Sequence, residues 1–329
     1  MTRFDAADWD SAVEALAGAP EVVVACHVNP DGDALGSLLA ASLGLNQLGK
    51  VTQVTWGDAV ATVPVAYTFL PGADTIVQPG DINEARVWLA LDCGAGDRLG
   101  LLEPVARSAD VIVNVDHHPG NDNFGTHNIV VTGASSTAEL VHGLLLDLGV
   151  ELDADIATCL YTGVVTDTGR FTYSNTKPET LRLAADLLAL GVPATQIAEE
   201  VYDSSPFAFL KLVGRTLERT ILVANEGLVY SWITQEDLAE TGVGLDETDK
   251  LIDQVRAARE ADVAAVFKEQ KDGSYRVSLR SRGPVSVGAI ARENGGGGHE
   301  LAAGFTAPSV GAGVKAIRKA LPGLRSEGE

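Results

Sequence analysis

The feature that most limits what this chain can become is a repeated pairing, through its first half, of short continuous apolar runs with longer helix-like stretches. "EVVVACH" is followed by "ALGSLLAASLGLNQLG", then come "VTQVTW", "RVWLALDCG" and "DVIVNVDHH". A strand that is apolar at every position must be covered on both faces, which is the pattern of a parallel sheet held between helical layers. Further helical patterns at 135–149, 153–169 and 178–190 continue the alternation, and the first opens on small polar capping residues and closes on a glycine. Residues 1–190 are therefore predicted to form an α/β domain with a doubly wound, mostly parallel sheet. Residues 191–218, helical with proline and serine interruptions, are expected as a linker. Residues 219–329 offer "TILVANEGLVYSWIT", a helix over about 246–261, a hairpin turning at "KDGS", a helix at "VSVGAIARENG" and the run "GGGGH". That is the outline of a second, smaller α/β domain.

Composition narrows the function. At 329 residues and 46% hydrophobic, the chain can build two ordinary cores. Cys26, Cys93 and Cys159 lie far apart in apolar segments, so they are expected as buried thiols and not as a disulfide framework. No leader pattern and no apolar run of membrane-spanning length is present, which places the expected location in the cytoplasm, with no membrane partner. Acidic residues number 45 against 24 basic, a formal charge of −21. Such a chain repels polyanions at long range, so a protein coating long duplex nucleic acid is excluded, whereas short phosphorylated ligands are not. Bound divalent cations would reverse the local potential, and carboxylate clusters are where they would sit.

Ligands of open α/β sheets bind beyond the carboxyl ends of the strands. His27, Asp31 and Asp33 follow the first apolar run, Asp92 ends the third, and Asp116, His117 and His118 end the fourth. Asp92 taken alone is an ordinary turn residue. Three strands delivering carboxylates and imidazoles to one rim are another matter, because clustered carboxylates repel unless cations neutralise them. Oxygen and imidazole donors without thiolates favour a hard or borderline divalent ion such as Mn²⁺, with Mg²⁺, Co²⁺ and Zn²⁺ as the alternatives. Two ions, sharing a bridging carboxylate, suit the set better than one and can generate a nucleophile and clamp a phosphoryl group.

Competing motifs fail on spacing. An EF-hand begun at Asp31 meets Leu35 and Ser42 where oxygen ligands belong. "GAGDRLG" has Leu99 at the third glycine of a dinucleotide fingerprint, "GGGG" is followed by His299 and Glu300 and so makes no P-loop, and no GxSxG occurs. A nicotinamide-dependent dehydrogenase thus lacks its signature.

Taken together the motifs resemble the DHH family of phosphoesterases: "HVNPDGDALGS", "DCG" at 92–94, "DHHPGN" at 116–121, "TDTGRF" at 166–171, and a C-terminal "RSRG…GGGGH" like that of DHHA1 domains. The length is similar to that of the branch that degrades short oligoribonucleotides and dephosphorylates 3′-phosphoadenosine 5′-phosphate (pAp). The resemblance implies that His27 and Asp31 hold a first Mn²⁺, that Asp33, His117 and Asp167 hold a second, and that Asp92 bridges them. It implies Asp116 as an orienting partner and His118 as the residue facing the scissile phosphate. Hydrolysis by a metal-bridging hydroxide is the implied chemistry, with the active site in a cleft between the domains. Arg280, Arg282, Gly296, Gly297, Gly298 and His299 are the expected phosphate clamp, since guanidinium forks and glycine amides suit anions. Expected substrates are short RNA, pApA and pAp; the alternative is a dedicated cyclic di-AMP phosphodiesterase, and a sensor without catalysis would show a broken ligand set. The resemblance also implies a homodimer.

Overall fold

The computed structural model describes residues 7–83, 86–283, 285–298 and 300–324, and the chain divides into two compact units, 1–204 and 205–329. In the first unit the elements run α1 (Trp9–Gly18), β1 (Glu21–Cys26), α2 (Gly32–Gln47), β2 (Val51–Trp56), β3 (Val87–Leu91), α3 (Glu103–Ala106), β4 (Val111–Asp116), β5 (His127–Val130), α4 (Thr137–Asp147), α5 (Ala154–Asp167), α6 (Pro178–Ala189) and α7 (Ala194–Ala198). Five strands form one sheet in the order β2-β1-β3-β4-β5, every neighbouring pair parallel. The apolar runs are the inner strands, and Val22 to Cys26 and Trp88 to Leu91 are all buried. β1 passes to β2 on one side and to β3 on the other, so the order reverses at β1/β3, where a doubly wound sheet opens its crevice. The fold class is as predicted; β5, short and without an apolar run, was not foreseen.

Helix α2 departs from the sequence reading. The helix-like stretch read from the sequence begins at Ala34, whereas the helix starts at Gly32 with Asp31 as N-cap, whose Oδ1 accepts from the amides of Asp33 and Ala34, both at 3.1 Å. The glycines serve packing. A Cβ on Gly36 would lie 2.4 Å from the Cys159 carbonyl and one on Gly32 would lie 2.5 Å from the Thr166 side chain, so α2 and α5 approach at backbone distance. The three cysteines are buried and unpaired, as expected.

In the second unit the order is α8 (Phe207–Glu218), β6 (Ile221–Val223), β7 (Leu228–Ile233), α9 (Gln235–Thr241), α10 (Leu251–Val255), β8 (Val263–Glu269), β9 (Tyr275–Ser281), α11 (Val287–Glu293), β10 (Gly297–Gly298), β11 (Ala302–Ala307) and α12 (Val310–Leu324). Its sheet, β10-β11-β9-β8-β7-β6, is antiparallel except for β7 with β8. α11 and α12 pack one face, and α8 to α10 pack β7 and β8 on the other. The stretch expected as a linker is shared out: Ile197 and Val201 join the first unit's core, Phe209 and Leu212 the second's. The helix expected over 246–261 breaks into a 3₁₀ turn, Leu245–Thr248, and the short α10. No helix among the described residues is long and apolar enough to cross a membrane.

His142 on α4 is buried, and burial, only partly opposed by the Asp186 carboxylate, lowers its pKa to about 4. Its unfolded value is near 6.5, so the unfolded chain takes up the proton first and stability is lost as pH falls from about 6.5 towards 4. Over that window the cost is on the order of 3 kcal/mol. His142→Leu should narrow the difference between urea midpoints measured at pH 7 and pH 5.

Candidate metal centre

Beyond the carboxyl ends of β1, β3 and β4 the chain gathers three overlapping groups of metal-capable side chains: His27, Asp31 and Asp92; Asp33, His117 and Asp167; and Asp92, His117 and His118. Asp92 joins them. Its Oδ2 lies 3.4 Å from His27 Nε2, and its Oδ1 lies 3.8 Å from His117 Nε2 and 3.5 Å from His118 Nδ1. This two-sided placement comes with a left-handed backbone, φ 58°, which is costly for a residue with a side chain.

On the first side, His27 Nε2 is 4.0 Å from Asp31 Oδ1, while its Nδ1 meets the Val28 carbonyl at 2.9 Å and the Arg98 guanidinium at 3.1 Å. The carbonyl calls for a proton on Nδ1 and the donor-only guanidinium for a lone pair there; the first tautomer leaves Nε2 as the lone-pair nitrogen that a metal needs. On the second side, His117 Nε2 faces Asp167 Oδ2 at 3.5 Å and Asp33 Oδ2 at 3.9 Å. That nitrogen is buried and has no hydrogen-bond partner among the described residues. Donors sharing one cation through bonds of about 2.1 Å stand roughly 3.0–3.5 Å apart, so these spacings are too long for hydrogen bonds and close to those around an ion. An orphaned buried nitrogen ringed by carboxylates is the observation that fits the donor set to a cation.

The electrostatics agree. Burial, then the charges of Asp92, Asp167 and Asp31, push Asp33 well above the usual carboxylate range, and burial lifts Asp167 to about 6 despite His117. Asp92 goes the other way, because contact with His27 and the neighbouring imidazoles outweigh burial. Burial opposes a charge on His118, but its bond to Asp116 and the nearby carboxylates carry its pKa up to about 9.

Asp116 is hydrogen-bonded through both of its carboxylate oxygens. It is fully buried, holds His118 Nδ1 at 2.7 Å through Oδ1 and accepts from Asn121 Nδ2 at 2.6 Å through Oδ2. Three contributors escaped the sequence reading. The first is the start of α4, where the Thr137 and Ala138 amides donate to the two oxygens of Asp33 at 2.7 and 2.9 Å and the Thr137 hydroxyl donates to Asp92 at 2.9 Å. Asn121 and Asn175, the latter 3.3 Å from Asp167 Oδ2, complete the set. The small polar residues there did mark a helix N-terminus, Ser136 being the N-cap whose Oγ accepts from the Glu139 amide at 3.2 Å, and a helix N-terminus is where anions belong.

The second unit holds the remaining candidates. Arg280 lies half-buried on β9, its Nη1 donating to the Leu279 carbonyl at 3.0 Å. Arg282 commits its Nε and Nη2 to the Arg256 carbonyl at 3.2 and 2.7 Å. His299 lies outside the described residues. The glycines differ in purpose. A Cβ on Gly296 would fall 2.1 Å from the Gly304 carbonyl, and Gly298 has φ 130° and a backbone neighbour at 2.6 Å. A Cβ on Gly297 would meet nothing within 4 Å and its φ is not in the left-handed region, so packing does not account for that glycine. Gly297→Ala should keep the melting temperature and weaken phosphate-ligand binding, whereas Gly298→Ala should lower the melting temperature; thermal scans with and without pAp compare the two.

Comparisons with known proteins follow the same division. The model of the DHH family N-terminal domain matches residues 21–164 and that of the DHHA1 domain matches 225–323. A Thermus thermophilus protein named bifunctional oligoribonuclease and PAP phosphatase NrnA is 35% identical over 286 residues, covering 87% of this chain and 83% of that protein. One of the same name from Bacillus subtilis is 29% identical over 290 residues, covering 86% and 88%. The crystal structure of an exopolyphosphatase-related protein from Bacteroides fragilis superposes with a TM-score of 0.91 at 25% identity, covering 98% of this chain and 97% of that one.

Proposed function

We propose that this chain, which belongs to the DHH family of phosphoesterases and carries a DHHA1 domain, hydrolyses short oligoribonucleotides, pApA among them, to 5′-mononucleotides and pAp to AMP, using two divalent cations, Mn²⁺ by preference. The observation that carries the reading is Asp92, whose two oxygens face two separate donor sets, one of them built on the orphaned His117 nitrogen. His27 and Asp31 would hold one ion, Asp33, His117 and Asp167 the other, and Asp92 both. When bound, such a pair supplies an attacking water of lowered pKa and neutralises charge on the phosphoryl oxygens. The relatives named above supply the substrate class, because their names give oligoribonuclease and PAP phosphatase activity to proteins similar over most of this chain.

The chain's own residues do the rest. Asp116 holds His118 at Nδ1, and Nε2, on the far side of the ring, is the atom that would pass a proton to the leaving oxygen. Asn121 and the buried Asp116 keep that ring in place. The Thr137 hydroxyl and the α4 amides hold Asp92 and Asp33 so that the donor sets keep their spacing. Arg280, Arg282 and the 296–299 stretch would bind the phosphate not undergoing attack, which favours ligands with phosphates at two points.

A time course with Mn²⁺ on pAp, pApA, an RNA pentamer and cyclic di-AMP tests the reading. Turnover of the first three supports it; turnover of cyclic di-AMP alone would replace it with a cyclic dinucleotide phosphodiesterase, and no turnover would sink it. Asp92→Ala should lose at least a thousandfold in kcat on every substrate, while Arg280→Ala should raise KM about tenfold with a smaller change in kcat. Near-normal activity of Asp92→Ala at full metal occupancy would refute the site. Chelation should abolish turnover, and Mn²⁺ should restore it.

A further inference from the structure

The second unit's sheet has a stretch of one face that its helices leave uncovered, and the charges on it are arranged against stability. α11 and α12 seal the side carrying Val277, Leu279, Ala303 and Phe305, whereas β9 and β11 contribute nothing to the cluster under α8 to α10. The residues facing that second side are therefore Arg276, Ser278 and Arg280 on β9 and Ala302, Gly304 and Thr306 on β11, all exposed or half-buried. Register aligns them in rows. Gly297, Gly304 and Ser278 lie directly opposite one another on three adjacent strands, a row with no side chain larger than serine. Arg280 and Ala302 form the next row on one side, Arg276 and Thr306 the next on the other. The result is a shallow trough with an arginine on each bank, the two Cα atoms about 13 Å apart along the strand.

Charge makes the trough more than a polar outer face. In a chain with almost two acids for every base, Arg276 sits directly opposite Lys268 of β8. Like charges in facing positions of an antiparallel pair are destabilising. Lys268 is itself buried, and Asp249 is the one acid in contact with this group among the described residues. Burial lowers the Lys268 pKa, and the Arg276 and Arg280 charges lower it further against the pull of Asp249. Of the three cations on this face, Lys268 alone is in contact with a carboxylate among the described residues. Arg276 has no acceptor of its own in the second unit's described contacts, and Gly297, which packing does not explain, lies in the floor.

We propose that Arg276 is a second phosphate-binding residue, which with Arg280 on the opposite bank of the Gly297–Gly304–Ser278 trough takes the phosphates of successive nucleotides in a single-stranded oligoribonucleotide. The inference rests on the phosphoesterase reading for the identity of its ligand. It assigns Arg276 to discrimination by length: a ligand with a further nucleotide reaches Arg276, and pAp does not.

The test measures equilibrium binding to the full-length chain in EDTA, with 5′-phosphorylated pentaadenylate and with pAp as probes, over a range of salt. Arg276→Ala should lower the affinity ratio of pentaadenylate to pAp roughly tenfold. Its slope of log affinity against log salt for pentaadenylate should flatten by roughly 0.7, one phosphate contact on a single strand. Arg276→Lys should restore the slope, and the melting temperature of Arg276→Ala should hold or rise, because a like charge facing Lys268 is removed. Equal losses on both probes, or a lower melting temperature with parallel losses, would overturn the proposal, as would unchanged binding of both. Binding is read without cations and without turnover, so a chain that hydrolyses nothing would sink the phosphoesterase reading and leave this result standing.

Discussion

Asp33 is the point on which the first unit depends. Its carboxylate is buried beside Asp92 and Asp167, where desolvation and like charge both oppose ionisation. The backbone answers with two amides from the start of α4, more than a hundred residues along the chain. Three helices must converge for this. α2 carries Asp33 in its first turn, α4 points its positive end at it, and α5 makes room through Gly163, where a Cβ would stand 2.8 Å from Asp33 Oδ1. The glycine contacts that bring α2 against α5 and the chemistry of the rim are one arrangement.

That compensation is incomplete. Two amides and a helix dipole offset one carboxylate, while Asp92 is balanced by imidazoles and Asp167 is left raised to about 6. A buried nitrogen at His117 without a hydrogen-bond partner, beside carboxylates it does not touch, completes a site that is unsatisfied in its own terms. Such a site is stable in a folded chain only as part of something larger, and divalent cations are the addition that satisfies the nitrogen and the carboxylates together.

How much of this the sequence disclosed depends on the range of each interaction. The rim residues were legible because strand ends are local: apolar runs locate β1, β3 and β4, and the polar residues after them must lie at one edge. Asp167 carried no such sign, since it ends a helix and its neighbours Thr166 and Thr168 turn back into α5, so only the family resemblance found it. Asn121, Thr137 and Asn175 act through tertiary hydrogen bonds, which leave no period in the sequence. The role of Gly36 was hidden for a related reason, because a glycine that permits close helix packing and one that permits a turn are the same letter. The helix expected over 246–261 is broken near Asp249, whose contact with the buried Lys268 of β8 is tertiary and leaves no period in the sequence.

The two units solve opposite electrostatic problems with the same means, a cluster of like charge on a rigid element. In the first, carboxylates crowd the rim of a parallel sheet and call for cations. In the second, Lys268, Arg276 and Arg280 crowd one sheet face of an otherwise acidic chain, and the partial answer is Asp249. A net charge of −21 keeps polyanions at a distance, so attraction has to be concentrated where the ligand is to bind. Concentration on a few arginines limits how many phosphates can be held, and a long strand gains nothing from the charges beyond them. The proposed activity on short ligands is consistent with this charge distribution and needs no wall that blocks longer ones.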